Sequence, residues 1–185
     1  MIWLFDMDGT LVDTLRATRE AYRKAGMKMP EGAWGKPWYD WCTEEVHKEK
    51  QRIYPNTLRE FGRILPAAEL FKIVGGSILT AASARSVEAV MQLLDIAPEL
   101  QGDMHTECSA QDKIDIINDM WLLHQSKVVY VDDNLEFGKR VLRETGAYFM
   151  HVSDKEGLFN LYRDGRVQRW TLSSWRPVVM NDLQE

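Results

Sequence analysis

Four short apolar runs constrain the fold of this chain more than any other feature: Ile2 to Phe5, Ser77 to Thr80, Val128 to Val131 and Ala147 to Val152. Each is continuous rather than alternating, and at least three lead into a polar or acidic loop and then a helical pattern. A strand that is apolar on both sides must be covered on both sides, and strands separated by helices pair in parallel. The expectation is an α/β fold, a Rossmann-like three-layer α/β/α domain with a central parallel sheet and a weaker fifth strand near Asp103 to Cys108. Helices are expected at Thr14 to Ala25, stopped by Gly26, and at Ala84 to Leu94, where Ser83 is a candidate cap. Two more are expected at Asp112 to Leu123 and at Glu136 to Glu144, the latter ended by Gly146.

The segment from Met27 to Ile64 differs in character. It is rich in Trp and charge, is broken by Pro30, Pro37 and Pro55, and has no strand pattern. A helix from Trp38 to Tyr54 is expected, and the segment reads as a small helical cap inserted into the main domain. The core is then residues 1–26 and 65–160, the cap 27–64, and a C-terminal hairpin or tail 161–185. Asp164-Gly165 is a hairpin turn signal there, and the last ten residues are expected to be loosely held.

Composition narrows the function. With 45% hydrophobic and 28% charged residues, the 185-residue chain is an ordinary globular one. Its net charge of -5 opposes extended nucleic-acid binding, which rests on clustered Lys and Arg. It permits a small phosphorylated ligand, or a phosphorylated nucleic-acid end, held by local positive charge and a metal. Cys42 and Cys108 have no metal-ligand spacing and read as reduced thiols. The N-terminal apolar run is too short for a signal peptide, and no stretch approaches the roughly 20 apolar residues of a membrane span. A soluble, cytoplasmic protein without a membrane partner is expected.

The chemistry gathers at strand ends. Asp6-Met7-Asp8-Gly9-Thr10 closes the first strand, and in a parallel sheet functional groups collect at the carboxyl ends of strands. Two carboxylates at i and i+2 can face one cavity, where they need a cation. A nucleophile beside a separate acid is also what ester cleavage through a covalent intermediate requires. Gly9 lets the chain turn sharply, and Thr10 offers a hydroxyl to a neighbouring carboxylate. Asp132-Asp133 follow four apolar residues, a costly arrangement unless a cation is present.

The string from Asp6 to Thr14, with the apolar strand before it, closely resembles the first motif of the haloacid dehalogenase (HAD) superfamily, whose members are mostly phosphatases. Thr80 resembles its second motif, Lys113 its third and the Asp132-Asp133 pair its fourth; the resemblance covers Met1 to about Val152. It implies a Mg²⁺ ion held by Asp6, the carbonyl of Asp8 and one acid of the pair, with Asp133 preferred to Asp132 by spacing. It implies Asp6 as nucleophile, Asp8 as acid and base, and Thr80 and Lys113 on the phosphate, with Gly9, Thr10 and Ala81 lining its site. Asp8 separates phosphatases and phosphomutases from the ion-pumping ATPases. Ser83 and Glu136 are rival candidates better explained as helix-start residues.

The acidic pair resembles the branch with deoxyribonucleotidases and phage-type polynucleotide 3'-phosphatases. A nucleotide or a phosphorylated nucleic-acid end is therefore the expected substrate; the cap aromatics Trp34, Trp38, Tyr39 and Trp41 either stack on a base or simply pack the cap on the core. No Gly-x-x-x-x-Gly-Lys-Ser/Thr loop accompanies it, so a kinase half is not expected in this chain. A sugar or organic phosphate, a phosphomutase reaction and a catalytically idle binding module are the alternatives.

Overall fold

The computed structural model describes residues 1–124, 127–152, 157–163 and 165–172. Its main sheet is built on the apolar runs: β1 (Ile2–Phe5), β4 (Gly76–Leu79), β6 (Val128–Asp132) and β7 (Tyr148–Val152). A fifth parallel strand, β5 (Gln101–His105), begins two residues earlier than the sequence pattern suggests. It also ends earlier, because Glu107 takes a left-handed φ of 58° and the Cys108 N–H turns to the carbonyl of Thr80. The hairpin β8 (Leu158–Arg163) and β9 (Arg166–Thr171) adds two antiparallel strands, so the order is β5-β4-β1-β6-β7-β8-β9. Arg163 and Arg166 pair across the expected turn; Asp164 itself and the last ten residues lie outside the described residues.

Both faces are covered, as apolar-on-both-sides strands demand. Successive β1 residues point to opposite faces, so Trp3 and Phe5 enter one core and Leu4 the other. The first core is closed by α1 (Leu15–Lys24), α2 (Glu44–Phe61), α3 (Pro66–Val74) and α4 (Ala84–Leu94). The second is closed by α5 (Ala110–His124) and α6 (Leu135–Glu144). The result is the three-layer α/β/α arrangement of a Rossmann-like fold. Helix α3 was not anticipated from sequence, although Pro66 at its first turn and buried Leu70 and Phe71 give it a start and an inner face.

The inserted segment departs from expectation in three ways. Its long helix starts at Glu44 rather than Trp38, because the Thr43 side chain accepts the Val46 N–H and caps it there. The helix then runs through Pro55 to Phe61, and burial of Tyr54, Thr57 and Leu58 offsets the backbone hydrogen bond the proline forfeits. Finally, β3 (Arg63–Ile64) pairs antiparallel with β2 (Val12–Asp13), a strand too short to leave a periodic signature. Tyr22, Met29 and Ala33 form a small separate core with Trp41, Cys42 and Val46 against it. Among the described residues no helix is long and apolar enough to cross a membrane.

Candidate active site

Strand β1 lies between β4 and β6, which are reached by connections running to opposite sides of it, and such a reversal opens a crevice at the carboxyl ends. Asp6 sits at that edge, its N–H donating to the Val131 carbonyl at 2.9 Å. Helix α5 brings Lys113 to it. Ser109 and Asp112 cap that helix reciprocally, the Ser109 N–H donating to Asp112 Oδ2 at 2.8 Å and the Asp112 N–H to Ser109 Oγ at 3.1 Å. From this anchored turn Lys113 Nζ reaches Asp6 Oδ1 at 2.6 Å, with both side chains nearly buried.

Asp132 and Asp133 complete the cluster. Ligand oxygens of Asp6, Asp132 and Asp133 all lie within 4.8 Å of one another. Both oxygens of Asp132 are engaged, Oδ1 by the Asn134 N–H at 2.8 Å and Oδ2 by the Tyr130 hydroxyl at 2.6 Å. Asp133 lies against Gly9: a β-carbon at that glycine would come within 2.5 Å of Asp133 Oδ2, and its φ of +86° suits glycine as well. The Asp8 carboxylate is not in the cluster; it accepts a hydrogen bond from the Thr14 hydroxyl. An all-oxygen set of this kind fits a hard cation such as Mg²⁺, which also retains water ligands.

The electrostatics argue for such a cation. Burial raises Asp6 to about 6, the Asp132 charge adds to the rise, and Lys113 only partly offsets it. Asp8 also rises to about 6 through burial, against the Thr14 hydrogen bond and with the Asp6 charge. Asp132 reaches about 6 and Asp133 is raised, in both cases mainly by burial. Burial works against the Lys113 ammonium, but Asp6 and Asp132 outweigh it and its pKa rises. One lysine thus stays charged while the acids around it remain short of positive charge.

The other expected positions divide. Thr80 follows β4 and is buried; its Oγ1 accepts the Ala82 N–H at 3.1 Å. Ala81 is exposed in the bend that follows. Thr10 is fully buried, with Oγ1 accepting the Asp133 N–H at 3.0 Å, so it ties two loops together rather than facing a ligand. Ser83 occupies the N-cap of α4, but its hydroxyl pairs with Ser86 Oγ at 3.1 Å instead of a backbone N–H. Glu136 is exposed and paired with Lys139. Trp38 and Trp41 are not on the long cap helix: Trp38 begins a separate 3₁₀ turn ending at Asp40, and Trp41 follows it. Trp38 stacks on His47 with ring centroids 4.2 Å apart, and Trp41 packs edge-on against Tyr22 at 4.7 Å.

Three residues escaped the sequence reading. Tyr130 stands two residues before Asp132 on β6, hence on the same face, and its hydroxyl accepts from Lys113 Nζ at 3.2 Å while donating to Asp132. A lone tyrosine in an aliphatic strand just before the acids was the available signal. Lys50 and Tyr54, four apart on α2, are also buried near the site; the charges of Lys50 and Asp8 influence each other, and Tyr54 is hydrogen-bonded to Thr14 and Thr18.

No family model and no curated protein sequence matches the chain. Solved structures do match in fold. A HAD hydrolase of family IA, variant 3, from Entamoeba histolytica superposes with a TM-score of 0.59 at 16% identity, over 82% of this chain and 83% of that one. CbbY from Rhodobacter sphaeroides, in complex with phosphate, gives 0.57 at 18% identity over 80% and 85%. The HAD-hydrolase YfnB from Bacillus subtilis, bound to magnesium, gives 0.56 at 14% identity over 80% and 86%.

Proposed function

We propose that this chain, whose fold is that of the HAD-superfamily hydrolases, is a Mg²⁺-dependent phosphomonoester hydrolase working through an aspartyl-phosphate on Asp6. The observation that carries the reading is the Asp6–Lys113 pair at 2.6 Å beside Asp132 and Asp133, with Asp8 two residues away on the same loop. In the proposed reaction the Asp6 oxygen not held by Lys113 attacks phosphorus, and the bond from phosphorus to the leaving oxygen breaks as Asp8 donates its proton. Asp8 then takes a proton from water as the water attacks the aspartyl-phosphate, releasing inorganic phosphate and restoring the Asp6 carboxylate. An acid at about 6 is suited to both roles near neutral pH. Lys113 and Thr80 donate to the phosphoryl oxygens. Asp133 and the Asp6 oxygen that does not attack would hold Mg²⁺, with the Asp8 carbonyl as a further ligand and Asp132 one step behind. The ion would neutralise the acids and the charge on the transferring group. The phosphate of the CbbY structure and the magnesium of the YfnB structure are the two species this reading calls for.

For the leaving group, a small sugar or organic phosphate fits the cap better than a nucleotide. Trp38 and Trp41 are spent on His47 and Tyr22, which leaves exposed Trp34 and Tyr39 as the aromatics a base could use. The test is hydrolysis of p-nitrophenyl phosphate with Mg²⁺ and with EDTA, in the native protein and in Asp6→Asn. Activity should need Mg²⁺ and fall by about 10⁴-fold or more in the variant. Full turnover in Asp6→Asn, or in metal-free protein, would overturn the mechanism.

A further inference from the structure

Strand β7 is aromatic and aliphatic apart from His151, which stands between Met150 and Val152 near its carboxyl end. In the ladder with β6, His151 is in register with Asp132, one residue short of Asp133. Side chains alternate along a strand, so His151 shares its face with Phe149, their ring centroids 6.1 Å apart. From that position the imidazole turns toward β6, and its Nε2 lies 3.0 Å from the main-chain carbonyl oxygen of Asp133. A carbonyl oxygen only accepts, so Nε2 carries the hydrogen and donates. The peptide is held on its other side as well, since the Asp133 N–H donates to Thr10 Oγ1 at 3.0 Å. The backbone of Asp133 is therefore clamped from two directions, by the loop after β1 and by β7.

The clamp matters because the two acids of the pair are held differently. Asp132 is buried, with both carboxylate oxygens bonded, to the Asn134 N–H and the Tyr130 hydroxyl. Asp133 is the exposed member of the Asp6, Asp132 and Asp133 cluster. Its short side chain has two torsions, so where its oxygens lie follows from where its backbone is pinned. Mg²⁺ demands near-ideal octahedral geometry, and the groups behind its ligands set how well that geometry is met. We infer that His151 is a positioning residue, which by holding the Asp133 carbonyl fixes the Asp133 carboxylate for the cation it shares with Asp6. The inference rests on the metal-dependent reading of the cluster and deepens it by bringing β7 into the site.

The ion is measured first and without turnover. Mn²⁺ takes the same oxygen ligands as Mg²⁺, and its free form is counted by electron paramagnetic resonance. The native protein should bind Mn²⁺ in a form that Mg²⁺ displaces and that Asp133→Asn loses. His151→Phe keeps a flat ring beside Phe149 but removes the donor, and it should weaken Mn²⁺ binding by about 10- to 100-fold. His151→Gln returns an amide N–H close to the place of Nε2 and should recover most of that loss. In EDTA both variants should melt within about 2 °C of the native protein, as a change confined to a half-exposed hydrogen bond implies. With p-nitrophenyl phosphate, His151→Phe should raise the Mg²⁺ concentration for half-maximal rate by the same factor, leaving kcat at saturating Mg²⁺ near native. Unchanged Mn²⁺ affinity in His151→Phe overturns the inference. So does an equal loss in both variants, or a large fall in melting temperature, either of which marks a structural residue. A native protein that binds no Mn²⁺ overturns it together with the metal reading. Binding that depends on His151, without hydrolysis by the native protein, supports the inference and removes the phosphatase reading alone.

Discussion

Lys113, on α5, and Lys50, on α2, are buried alike, at 8% and 9% exposure. Burial disfavours the charged form of both. Lys113 nevertheless has its pKa raised, because it donates to Asp6 at 2.6 Å and Asp132 adds its field. Lys50 is lowered to about 8 by burial, with the Asp8 charge offsetting only part of the fall. The difference teaches that burial alone does not define a lysine's role. A counter-charge within hydrogen-bond reach makes a permanent cation suited to hold a nucleophile and a phosphate together. The same group without one holds its proton less tightly.

Replacing each lysine by methionine should break the symmetry most visibly. Lys113→Met leaves Asp6 and Asp132 buried without their cation, and losing one partner of a buried pair costs about 3–5 kcal/mol. For a chain of this size that is on the order of 10 °C in Tm, and loss of the phosphate donor should lower kcat/KM by about 10²–10³-fold. Lys50→Met should hold or raise Tm. Thermal unfolding of both variants in EDTA at pH 7.5 makes the comparison, and equal shifts would erase the distinction drawn between the two residues.

The core site was legible in sequence because its residues follow strands whose apolar runs are unmistakable. Asp6, Asp8 and Asp132-Asp133 stand out by the rule that function collects at strand ends, whereas Thr80 and Lys113 were singled out through the resemblance to the family's motifs. The cap was less legible. Trp38 and Trp41 look like free aromatics when only spacing is considered, yet His47 and Tyr22 already occupy their faces. Lys50 reads as a solvated charge among Lys48, Glu49 and Arg52, since only the packing of α2 on α1 and α4 turns it inward. Thr10, expected to bond a neighbouring carboxylate and to line the phosphate site, is fully buried, and its hydroxyl serves Asp133, accepting its N–H and bonding its carboxylate. Contacts made across distant segments leave no local trace.

The acids of the core should also be separable from the cap by pH. Asp6, Asp8 and Asp132 at about 6 bind protons more tightly folded than unfolded, where the value is near 3.8. Their contribution to stability is complete below pH 4 and is lost as pH rises through 6. His47, lowered by burial to about 4, works in the opposite direction over part of that window, since it charges on unfolding. Mg²⁺ acts on the acids and not on His47, so the difference in Tm between Mg²⁺ and EDTA isolates them. That difference should be small at pH 5 and grow by several degrees by pH 7.5. A difference independent of pH would mean that the acids are not the metal's seat.

The smallest expected effect tests what holds Lys113 in place on its side of the comparison. Tyr130 packs edge-on against Phe137 at 5.7 Å and alongside Phe149 at 6.5 Å, so Tyr130→Phe should preserve the ring's surroundings. The change is then confined to the hydroxyl, which donates to Asp132 Oδ2 at 2.6 Å and accepts from Lys113 Nζ at 3.2 Å. Removing it leaves a buried carboxylate oxygen without its donor, at a cost of about 1–3 kcal/mol. Lys113 keeps its stronger bond to Asp6, so its charge survives and only its orientation loosens. A fall of about 10-fold or less in kcat with KM little changed is therefore expected, together with a Tm loss of a few degrees. Tyr130→Phe as damaging as Lys113→Met would mean that the tyrosine, rather than Asp6, anchors the lysine. No change in either Tm or kcat would leave the 2.6 Å ion pair as the sole determinant of where Lys113 points.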